Sequence, residues 1–594
     1  MRIFRSAAVG GLIAAIAYAS WPPTRDNAFC QDKSSRTIML IRLLLSLWIA
    51  TQAAPAQSTQ NTEQRSATLP AAVDEIEAEP LPGSSVEHER AMLESLYAAP
   101  DAQLLWSEHE RLSSQARELL DILKSSEAYG LRPGDYGVDR LLASATELSS
   151  DSAAVDWAQF DVRLSRAAIR LITHLHFGRI DPRAAGFELM QSRGELNVAS
   201  VVAGIASAPK VSDAVMAIEP RFFHYALLKT ALAQYRALAA DLSLTQLPSF
   251  GKRTLHAGEG YVGAPALRRL LTALGDLALV ATPDATSDLT LDASLISGLK
   301  HFQDRHGLTA DGSLGAQTYQ ALTTPLAQRV RQIELTLERW RWLPPFDAPP
   351  IIVNIPQFSL FAFRTTEDRD VNVLQMPVIV GQTYSRTRTP VFVGELQYVI
   401  FRPYWDVPRS IVVHEMLPRI RADADYLRRN NLELVDGQSD AGAVVAPTAT
   451  TLAALAAGQL RLRQRPGDDN SLGLIKFVFP NAHNVYMHGT PAQRLFLLSR
   501  RAFSHGCIRV NDPVALARYV LRDTAGDWDD AKITAAMHAS TSLRVELRES
   551  IRVMILYGTA LATEAGATDF FDDIYGDDRK LETLLGLSPV SSAQ

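Results

Sequence analysis

The stretch "FSHGCIRV", residues 503–510, lies in a region of short β-branched and aromatic runs bounded by Gly, Pro and Asn. Such runs predict strands. Cys507, which follows His505 by two positions, is one of only two cysteines in 594 residues. It could be a nucleophile, a metal ligand, half of a disulfide or a small core residue.

The segment at 39–56, "MLIRLLLSLWIATQAAPA", has the layout of a secretory signal. A Met and a cation open it, an apolar run follows, and small residues precede a cleavage site after Ala56. We expect residues 1–38 to be an upstream mis-start or an extra leader; cleavage after Ala19 is the rival interpretation. No apolar run reaches the roughly 20 residues that span a membrane, so a retained anchor is the less favoured alternative.

Export bears on the disulfide question. Cleavage after Ala56 removes Cys30, and Cys507 is then the one thiol left in a compartment that oxidises paired thiols. That leaves no intramolecular partner, and an unpaired thiol in such a compartment indicates a reactive group.

The length of 594 residues predicts several domains, and the net charge of −6 without a basic domain argues against a nucleic-acid partner. We expect a multidomain α+β fold whose mainly β part follows two helical units. The predicted divisions are a linker at 57–87, a helical scaffold at 88–250, a three-helix unit at 264–325, a connector helix at 326–346, a mainly β domain at 347–577 with a capping insertion at 408–470, and a tail at 578–594.

A catalytic cysteine needs a base or a cation nearby, because the free thiol is largely protonated at neutral pH. Two histidines qualify: His488 in "VYMHGTP" and His505. Gly506 would let the backbone approach a substrate, and the amides around Cys507 could donate to a developing oxyanion. These residues together predict acyl transfer, with either histidine as the base.

The sequence "HGT" at 488–490 followed by "SHGCIRV" at 504–510 resembles the signature of the L,D-transpeptidase catalytic domain. Four further segments are similar to that family: "VIVGQTYSRTRTPVF" at 378–392, "PYWDVPRSIVVHEMLP" at 403–418, "LGLIKFVFPN" at 472–481 and "DIYGDD" at 573–578. Residues 264–325 resemble the small three-helix peptidoglycan-binding module, whose motif spacing is matched by Phe302-Gln303, Gly307-Leu308, Asp311-Gly312, Gly315 and Thr318. The whole order of domains resembles the large periplasmic members. A helical spacer that binds nothing is the alternative for that module.

The resemblance implies a role for each motif residue. Cys507 matches the nucleophile and His488 matches the proton acceptor and donor. Gly489 would orient that histidine through its backbone carbonyl. The amides of Gly506 and Cys507 would form the oxyanion hole. No cofactor and no metal are implied.

Five further residues are expected around this centre. His505, Ser504 and Arg509 would support it, and Arg509 would either serve structure or engage a substrate carboxylate. Trp405 and Tyr486 would contact substrate, with aromatic packing as the alternative.

The implied reaction uses stem peptides of peptidoglycan as donor and acceptor. Cys507 would attack the third residue's carbonyl in a tetrapeptide and release D-alanine, and an amine of a neighbouring stem would resolve the thioester into a 3,3 crosslink. We expect a periplasmic monomer with at most a loose membrane association.

Three alternatives are kept open. A carboxypeptidase would share the acyl-enzyme and use water as acceptor. A noncatalytic wall-binding protein would rely on residues 264–325. A zinc site could in principle use His483, His488, His505 and Cys507, but their spacing matches no familiar pattern.

Overall fold

The computed structural model describes residues 68–75, 86–97, 102–189, 196–251, 253–278, 289–345, 347–366, 368, 373–384, 387–437, 439, 441–588 and 590. The predicted leader at 39–56, the upstream segment 1–38 and Cys30 lie outside these residues. Across the described part, no helix is long and apolar enough to cross a membrane.

A helical domain built around one long central helix comes first. Its apolar core is formed by residues such as Trp106, Phe160 and Leu171, each at most 1% exposed. Its helices are α1 (Leu69–Asp74), α2 (Val86–Leu96), α3 (Ser114–Lys124), α4 (Val138–Glu147), the central α5 (Ala154–Phe177), α7 (Val198–Ala206) and α8 (Val211–Met216), and a short hairpin joins β1 (Ser107–Glu108) to β2 (Arg111–Leu112). The helices α6 (Pro182–Ala185) and α9 (Phe223–Ala239) belong to the same part of the sequence, but their buried residues lie in the core of the units that follow.

The prediction that 57–87 lacks a core is wrong at α1. Leu69, Ala72 and Val73 are buried in the core of the helical domain. Their spacing places them on one helix face, and α1 packs on α5. The composition of the segment predicts a polar linker, because these three apolar residues are few among many polar ones.

The second helical unit contains α10 (Ala264–Ala273), α11 (Ala293–Arg305) and α12 (Ala316–Leu322). Gln303 closes the turn between the last two helices, since its amide donates to Thr318 Oγ1 at 3.0 Å and accepts from the Gly312 N–H at 2.7 Å. Gly312 has a φ of +77°, which favours glycine. These motif residues therefore have a folding role of their own.

The connector α13 (Leu326–Arg341) is buried on several sides. Arg341 is 0% exposed and pairs with Glu338, and its guanidinium also contacts the Tyr225 hydroxyl of α9. Arg339 pairs with Asp578 near the C-terminus. Buried ion pairs of this kind hold the connector in one orientation between the helical units and the sheet.

The predicted mainly β domain is confirmed. Its sheet has the strand order β13-β5-β14-β12-β11-β6-β15-β3-β4, and the further pairing of β4 with β5 closes a circuit around an apolar core. The strands are β3 (Ile351–Asn354), β4 (Ser359–Ala362), β5 (Leu374–Gly381), β6 (Phe392–Phe401), β11 (Ile475–Val478), β12 (Met487–His488), β13 (Ala502–Ser504), β14 (Ile508–Val510) and β15 (Leu543–Leu556). Helices α18 (Pro513–Leu521) and α19 (Asp530–Met537) and the hairpin of β16 (Ala560–Ala562) and β17 (Thr568–Phe570) complete it.

The insertion at 408–470 forms a separate small layer with its own core, which includes Leu434 and Leu462. Its sheet has the order β7-β10-β8-β9. Its elements are β7 (Trp405–Asp406), α14 (Arg409–Ile411), a π-helical turn (Val412–Met416), α15 (Leu417–Ala422), α16 (Tyr426–Arg429), β8 (Leu432–Asp436), β9 (Ala443–Val445), α17 (Ala449–Ala457) and β10 (Arg461–Gln464). We call this layer the cap.

The predicted tail at 578–594 begins inside a packed helix, α20 (Asp577–Leu584). Leu581 is 0% exposed, and the buried carboxylate of Asp578 accepts from the Thr559 hydroxyl at 2.7 Å. The prediction of a tail is therefore wrong for its first residues. Asp578 pairs with the buried Arg339, and Leu581 packs into the apolar core.

Candidate active site

Three neighbouring strands carry the reactive side chains on one face of the sheet. Lys476 on β11 is in register with His488 on β12, and His488 is in register with Arg509 on β14. Residues in register project to the same face, whereas sequence neighbours alternate. Met487 and Ile508 accordingly point to the opposite face, where both are 0% exposed.

Cys507 lies at the bend just before β14 and is a half-buried free thiol. The Ile508 N–H donates to the Tyr486 carbonyl at 3.1 Å, which places Cys507 beside Tyr486, two residues before His488 along β12. From the strand spacing and the rise per residue, the Cα atoms of Cys507 and His488 are roughly 8 Å apart, within reach of the two side chains. Cys507 and His488 therefore lie on the same side of adjacent strands, while the thiol itself lies 3.8 Å from the Asn484 carbonyl oxygen, to which it donates.

His488 is buried and fixed in orientation. Its Nδ1 lies 2.6 Å from the Gly489 carbonyl oxygen. A carbonyl only accepts, so Nδ1 carries the proton and Nε2 keeps its lone pair in the neutral ring. The structure thus brings Gly489 to its predicted position, with the backbone carbonyl acting on the imidazole.

The pKa of His488 is lowered to about 3. Burial is the largest cause, followed by the positive charge of Arg509, and Lys476 adds to it, while the carbonyls of Gly489 and Leu472 oppose the shift. At neutral pH the imidazole is therefore uncharged and able to accept a proton.

Burial also raises the pKa of the Cys507 thiol above its usual value. The backbone and hydroxyl of Tyr486 and the cations Lys476 and Arg509 oppose this shift. At neutral pH the Cys507 thiol and the His488 imidazole are therefore both uncharged at rest.

The loop that carries the thiol is held by Ser504. Its hydroxyl donates to the Cys507 carbonyl at 2.6 Å and accepts from the Gly506 N–H at 3.1 Å. Gly506 has a φ of +113°, in the region that favours glycine. The predicted use of the Gly506 amide in an oxyanion hole needs correction, because this N–H already donates to Ser504; a role of the Cys507 amide stays a prediction.

Two residues that sequence reasoning missed, Thr389 and Tyr575, hold the same loop through hydrogen bonds. Thr389 donates its hydroxyl to the Gly506 carbonyl at 2.9 Å, and the Tyr575 hydroxyl donates to the Gly381 carbonyl at 2.7 Å. Tyr575 also accepts from the Thr389 N–H at 3.2 Å. Both lie in segments on which the family resemblance rests, but their contacts join distant parts of the chain.

His505 faces the cap rather than completing the centre. Its Nε2 lies 2.8 Å from Glu415 Oε1, in the π-helical turn. Sequence reasoning missed Glu415, because it is 90 positions away from His505 in the chain and no motif links the two residues. The placement favours the supporting role predicted for His505 and joins the cap to the catalytic loop.

Trp405 and Tyr486 come together at the mouth of the site. Burial raises the pKa of the Tyr486 hydroxyl, the nearby Cys507 thiol adds to the shift, and Trp405, on β7 of the cap, opposes it. Lys476 Nζ lies 3.9 Å from the centre of the Tyr486 ring. Substrate contact and packing are both compatible with this position.

Lys476 is a further residue that sequence reasoning missed. The alternation in "LIKFVF" gives the signal, because Lys476 stands between Ile475 and Phe477, which are both 0% exposed. Arg509 shares its face, and its buried Nε finds no hydrogen-bond acceptor among the described residues. Two cations thus flank the neutral His488.

The four histidine and cysteine side chains of the zinc alternative have different partners. His483 Nε2 lies 3.2 Å from Glu188 Oε2, and His505 contacts Glu415. His488 Nδ1 lies against the Gly489 carbonyl and the Cys507 thiol against the Asn484 carbonyl, so each of the four side chains has its own partner.

Three family models match the chain. Residues 91–232 match a "Scaffold domain", residues 264–322 a "Putative peptidoglycan binding domain", and residues 349–534 the "L,D-transpeptidase catalytic domain". The described site lies in the third range.

A curated relative named "Putative L,D-transpeptidase", from Haemophilus influenzae, is 32% identical over 280 residues. The match covers 46% of this chain and 54% of the relative, so the chain spans about half the length of that protein. The resemblance predicted from the motifs is confirmed by these findings.

Proposed function

We propose that this chain, which carries an L,D-transpeptidase catalytic domain, forms 3,3 crosslinks in peptidoglycan through a thioester on Cys507. The observation that carries the proposal is the pairing of β12 with β14. It sets a half-buried thiol beside a buried imidazole whose Nδ1 is held by a carbonyl at 2.6 Å. A nucleophile, a base and a group that orients the base are the parts that covalent acyl transfer needs.

In the first half-reaction, Cys507 Sγ attacks the carbonyl that joins the third stem residue to D-alanine. His488 Nε2 takes the thiol proton as the S–C bond forms. The tetrahedral intermediate then collapses, the C–N bond breaks, and His488 returns the proton to the departing amine. D-Alanine leaves and a thioester remains.

In the second half-reaction, the side-chain amine of a neighbouring stem attacks the thioester. His488 takes a proton from that amine and gives it to the departing thiolate, so the neutral pair is restored. The side of the site on which Trp405 and Tyr486 lie is the proposed approach for one of the two stems.

Lys476 and Arg509 are the proposed partners of the stem carboxylates. The donor ends in the carboxylate of D-alanine, and a guanidinium or ammonium suits such a group. The Arg509 Nε without an acceptor among the described residues supports this role over a purely structural one.

Trimming of D-alanine by water is the second candidate, because it differs only in the acceptor. We further propose that the protein is a periplasmic monomer, exported by the leader at 39–56 and at most loosely associated with the membrane. The matches to peptidoglycan-acting domains support an extracytoplasmic location.

The test incubates the purified mature protein with a disaccharide-tetrapeptide and weighs the products. A crosslinked dimer that lacks one D-alanine supports transpeptidation, and tripeptide monomer alone supports trimming. Product formation by a Cys507→Ala protein would refute the proposed nucleophile.

A further inference from the structure

The Cys507 thiol has a hydrogen-bond acceptor that the proposed reaction does not use. Its Sγ lies 3.8 Å from the carbonyl oxygen of Asn484, in the loop between β11 and β12. A carbonyl oxygen only accepts, so the sulfur must carry its proton for this contact to form. The contact therefore stabilises the neutral thiol and is lost when the thiolate forms.

The loop that carries Asn484 is held together by the side-chain amide of Asn481. Its Nδ2 donates to the Phe479 carbonyl at 2.6 Å and to the Val485 carbonyl at 2.7 Å. Its Oδ1 accepts from the N–H groups of His483 at 3.0 Å and of Val485 at 3.1 Å. This one amide bonds the backbone on both sides of Asn484 and so fixes the direction of the carbonyl that the thiol contacts.

The backbone of Asn484 has the left-handed conformation, with a φ of +54°. Asparagine adopts this region more readily than most residues, whereas a β-branched residue strongly avoids it. The turn takes the chain from the exposed Asn484 to Val485, which is only 5% exposed. The same turn leaves the Asn484 carbonyl beside the thiol.

The charged form of the sulfur has other partners. Burial raises the pKa of the Cys507 thiol, and the backbone and hydroxyl of Tyr486 together with the cations Lys476 and Arg509 act in the opposite direction. These groups favour the thiolate, whereas the Asn484 carbonyl acts with burial, because an acceptor stabilises only the protonated form. The two forms of the sulfur are therefore stabilised by different neighbours.

The histidines around the thiol have partners of their own. His488 is uncharged at neutral pH. His483, in the same loop as the carbonyl, lies 3.2 Å from Glu188 Oε2, and His505 lies 2.8 Å from Glu415 Oε1 of the cap. A substitution in the loop that moves the carbonyl therefore changes the hydrogen bonding of the thiol without removing a charge from the site.

We propose that Asn481 is a positioning residue for the nucleophile: it places the Asn484 carbonyl so that this oxygen holds the thiol hydrogen of the resting protein. The inference rests on the proposed function, in which Cys507 is the nucleophile. To react, the S–H turns from the carbonyl to His488 Nε2, which takes the proton as the S–C bond forms. At rest the carbonyl favours the protonated thiol, which reacts more slowly with electrophiles than the thiolate does.

The experiment measures alkylation of Cys507 by iodoacetamide as a function of pH, in the full-length protein without substrate, and quantifies the Cys507 peptide by mass spectrometry. Loss of the contact should move the midpoint of the profile about half a pH unit lower and speed alkylation at pH 7 roughly threefold. Asn484→Val should show this shift, because valine avoids the left-handed conformation and the carbonyl turns away. Asn481→Ala should show it because the loop loses the amide that holds it.

Two further variants separate the carbonyl from other effects. Asn484→Gly is the conservative variant, since glycine readily adopts the left-handed conformation and keeps the carbonyl in place, and its profile should match the wild type. Asn354→Ala is the matched control for Asn481→Ala. The Asn354 amide likewise bonds backbone in the β domain, at 3.0 Å to the Gly558 carbonyl and 2.8 Å from the Gly558 N–H. Its loss should lower stability in denaturant without moving the profile.

Two results would overturn the positioning role. One is a wild-type profile in both Asn484→Val and Asn481→Ala when denaturant unfolding shows that they are folded. The other is an equal shift in Asn484→Gly or Asn354→Ala, which would assign the effect to a side chain or to general loosening. Because alkylation needs no substrate, the expected pattern in a protein that tetrapeptide does not acylate would support the placement of the thiol and refute the proposed function.

Discussion

At the scale of single residues, the centre depends on a neutral pair rather than a preformed ion pair. Burial disfavours the charge on both groups, and Lys476 and Arg509 further disfavour a proton on His488. The same cations favour the thiolate as it forms. In the proposed reaction, the two effects together favour transfer of the proton from Cys507 to His488 as the thiol attacks a substrate carbonyl.

The first prediction concerns the pH dependence of Cys507 acylation by a carbapenem. His488 stays neutral above its pKa of about 3, and the thiol stays protonated below its raised pKa. The rate constant should therefore be nearly flat from pH 5 to pH 8. In His488→Ala it should fall by roughly 100-fold or more at pH 7 and rise about tenfold per pH unit, since only free thiolate then reacts. A tenfold rise per unit in the wild type would argue against the neutral pair.

The second prediction concerns Lys476. Lys476→Met should raise KM for the tetrapeptide about tenfold, because a charge-assisted contact to its carboxylate is lost, with a smaller effect on kcat. Lys476→Arg should retain most of the affinity. Steady-state kinetics with the free acid and its C-terminal amide check this: the wild type should prefer the acid, and a Lys476→Met protein with the same preference would refute the contact.

Sequence reasoning names the candidate residues of this centre but not their arrangement. Cys507 and His488 can be named because their motifs are specific, and their catalytic roles stay predictions. The engagement of the Gly506 amide by Ser504 cannot be predicted, since it depends on how a four-residue loop turns. Lys476 was missed because one lysine in a strand is unremarkable until its register with His488 is known.

At the scale of elements, the short strand β14 and the bend before it position the nucleophile. Ser504 on β13 fixes the bend by two hydrogen bonds. Thr389 donates a third to the Gly506 carbonyl, and Tyr575 in turn holds the backbone of Thr389. The cap contacts the same bend through Glu415 and His505. The loop is thus braced from the sheet and from the cap.

The third prediction is that Ser504→Ala loosens this bend. The substitution leaves the Gly506 N–H and the Cys507 carbonyl without their partner, which should lower the free energy of unfolding by about 1–3 kcal/mol. Acylation should slow more than this loss of stability explains at a temperature where the protein is fully folded. Denaturant unfolding and stopped-flow acylation measure the two effects. Ser542→Ala is the control, since Ser542 bonds a carbonyl of β6 away from the bend.

Helices at the domain borders were predictable only in part. The amphipathic pattern predicts the connector helix. It does not predict that Arg339 and Arg341 are buried. The sequence predicts a linker where α1 lies and a tail where α20 begins, because each segment is polar and has only a short apolar stripe. Whether such short segments form helices depends on their tertiary contacts, which cannot be predicted from composition.

At the scale of the whole molecule, α10–α12, the connector and the β domain share one apolar core, whereas the N-terminal helices have another. The peptidoglycan-binding-like unit is therefore part of the catalytic body rather than a tethered module. This arrangement follows from contacts between residues hundreds of positions apart, such as Arg305 with Thr568, and a sequence read locally gives no sign of it.

The fourth prediction is that Arg305→Met destabilises the module and the β domain together. It removes the guanidinium that pairs with the buried Asp276 carboxylate and leaves only the His301 ring beside that charge, which should lower stability by about 3–5 kcal/mol. Calorimetry should show a single transition for both parts moving to lower temperature. A separate low-temperature transition for residues 264–322 would contradict the shared core. Arg253→Met is the control, since Arg253 forms an exposed pair with Glu259.

The most direct test of the proposed reaction is the mass of the acyl-enzyme. The protein is mixed with a tetrapeptide donor without acceptor, quenched in acid within seconds and digested, and the modified peptide is sequenced by mass spectrometry. The predicted result is an adduct of the stem minus D-alanine on Cys507 that hydroxylamine releases. No adduct in a folded protein, or the same adduct in Cys507→Ala, would contradict the account.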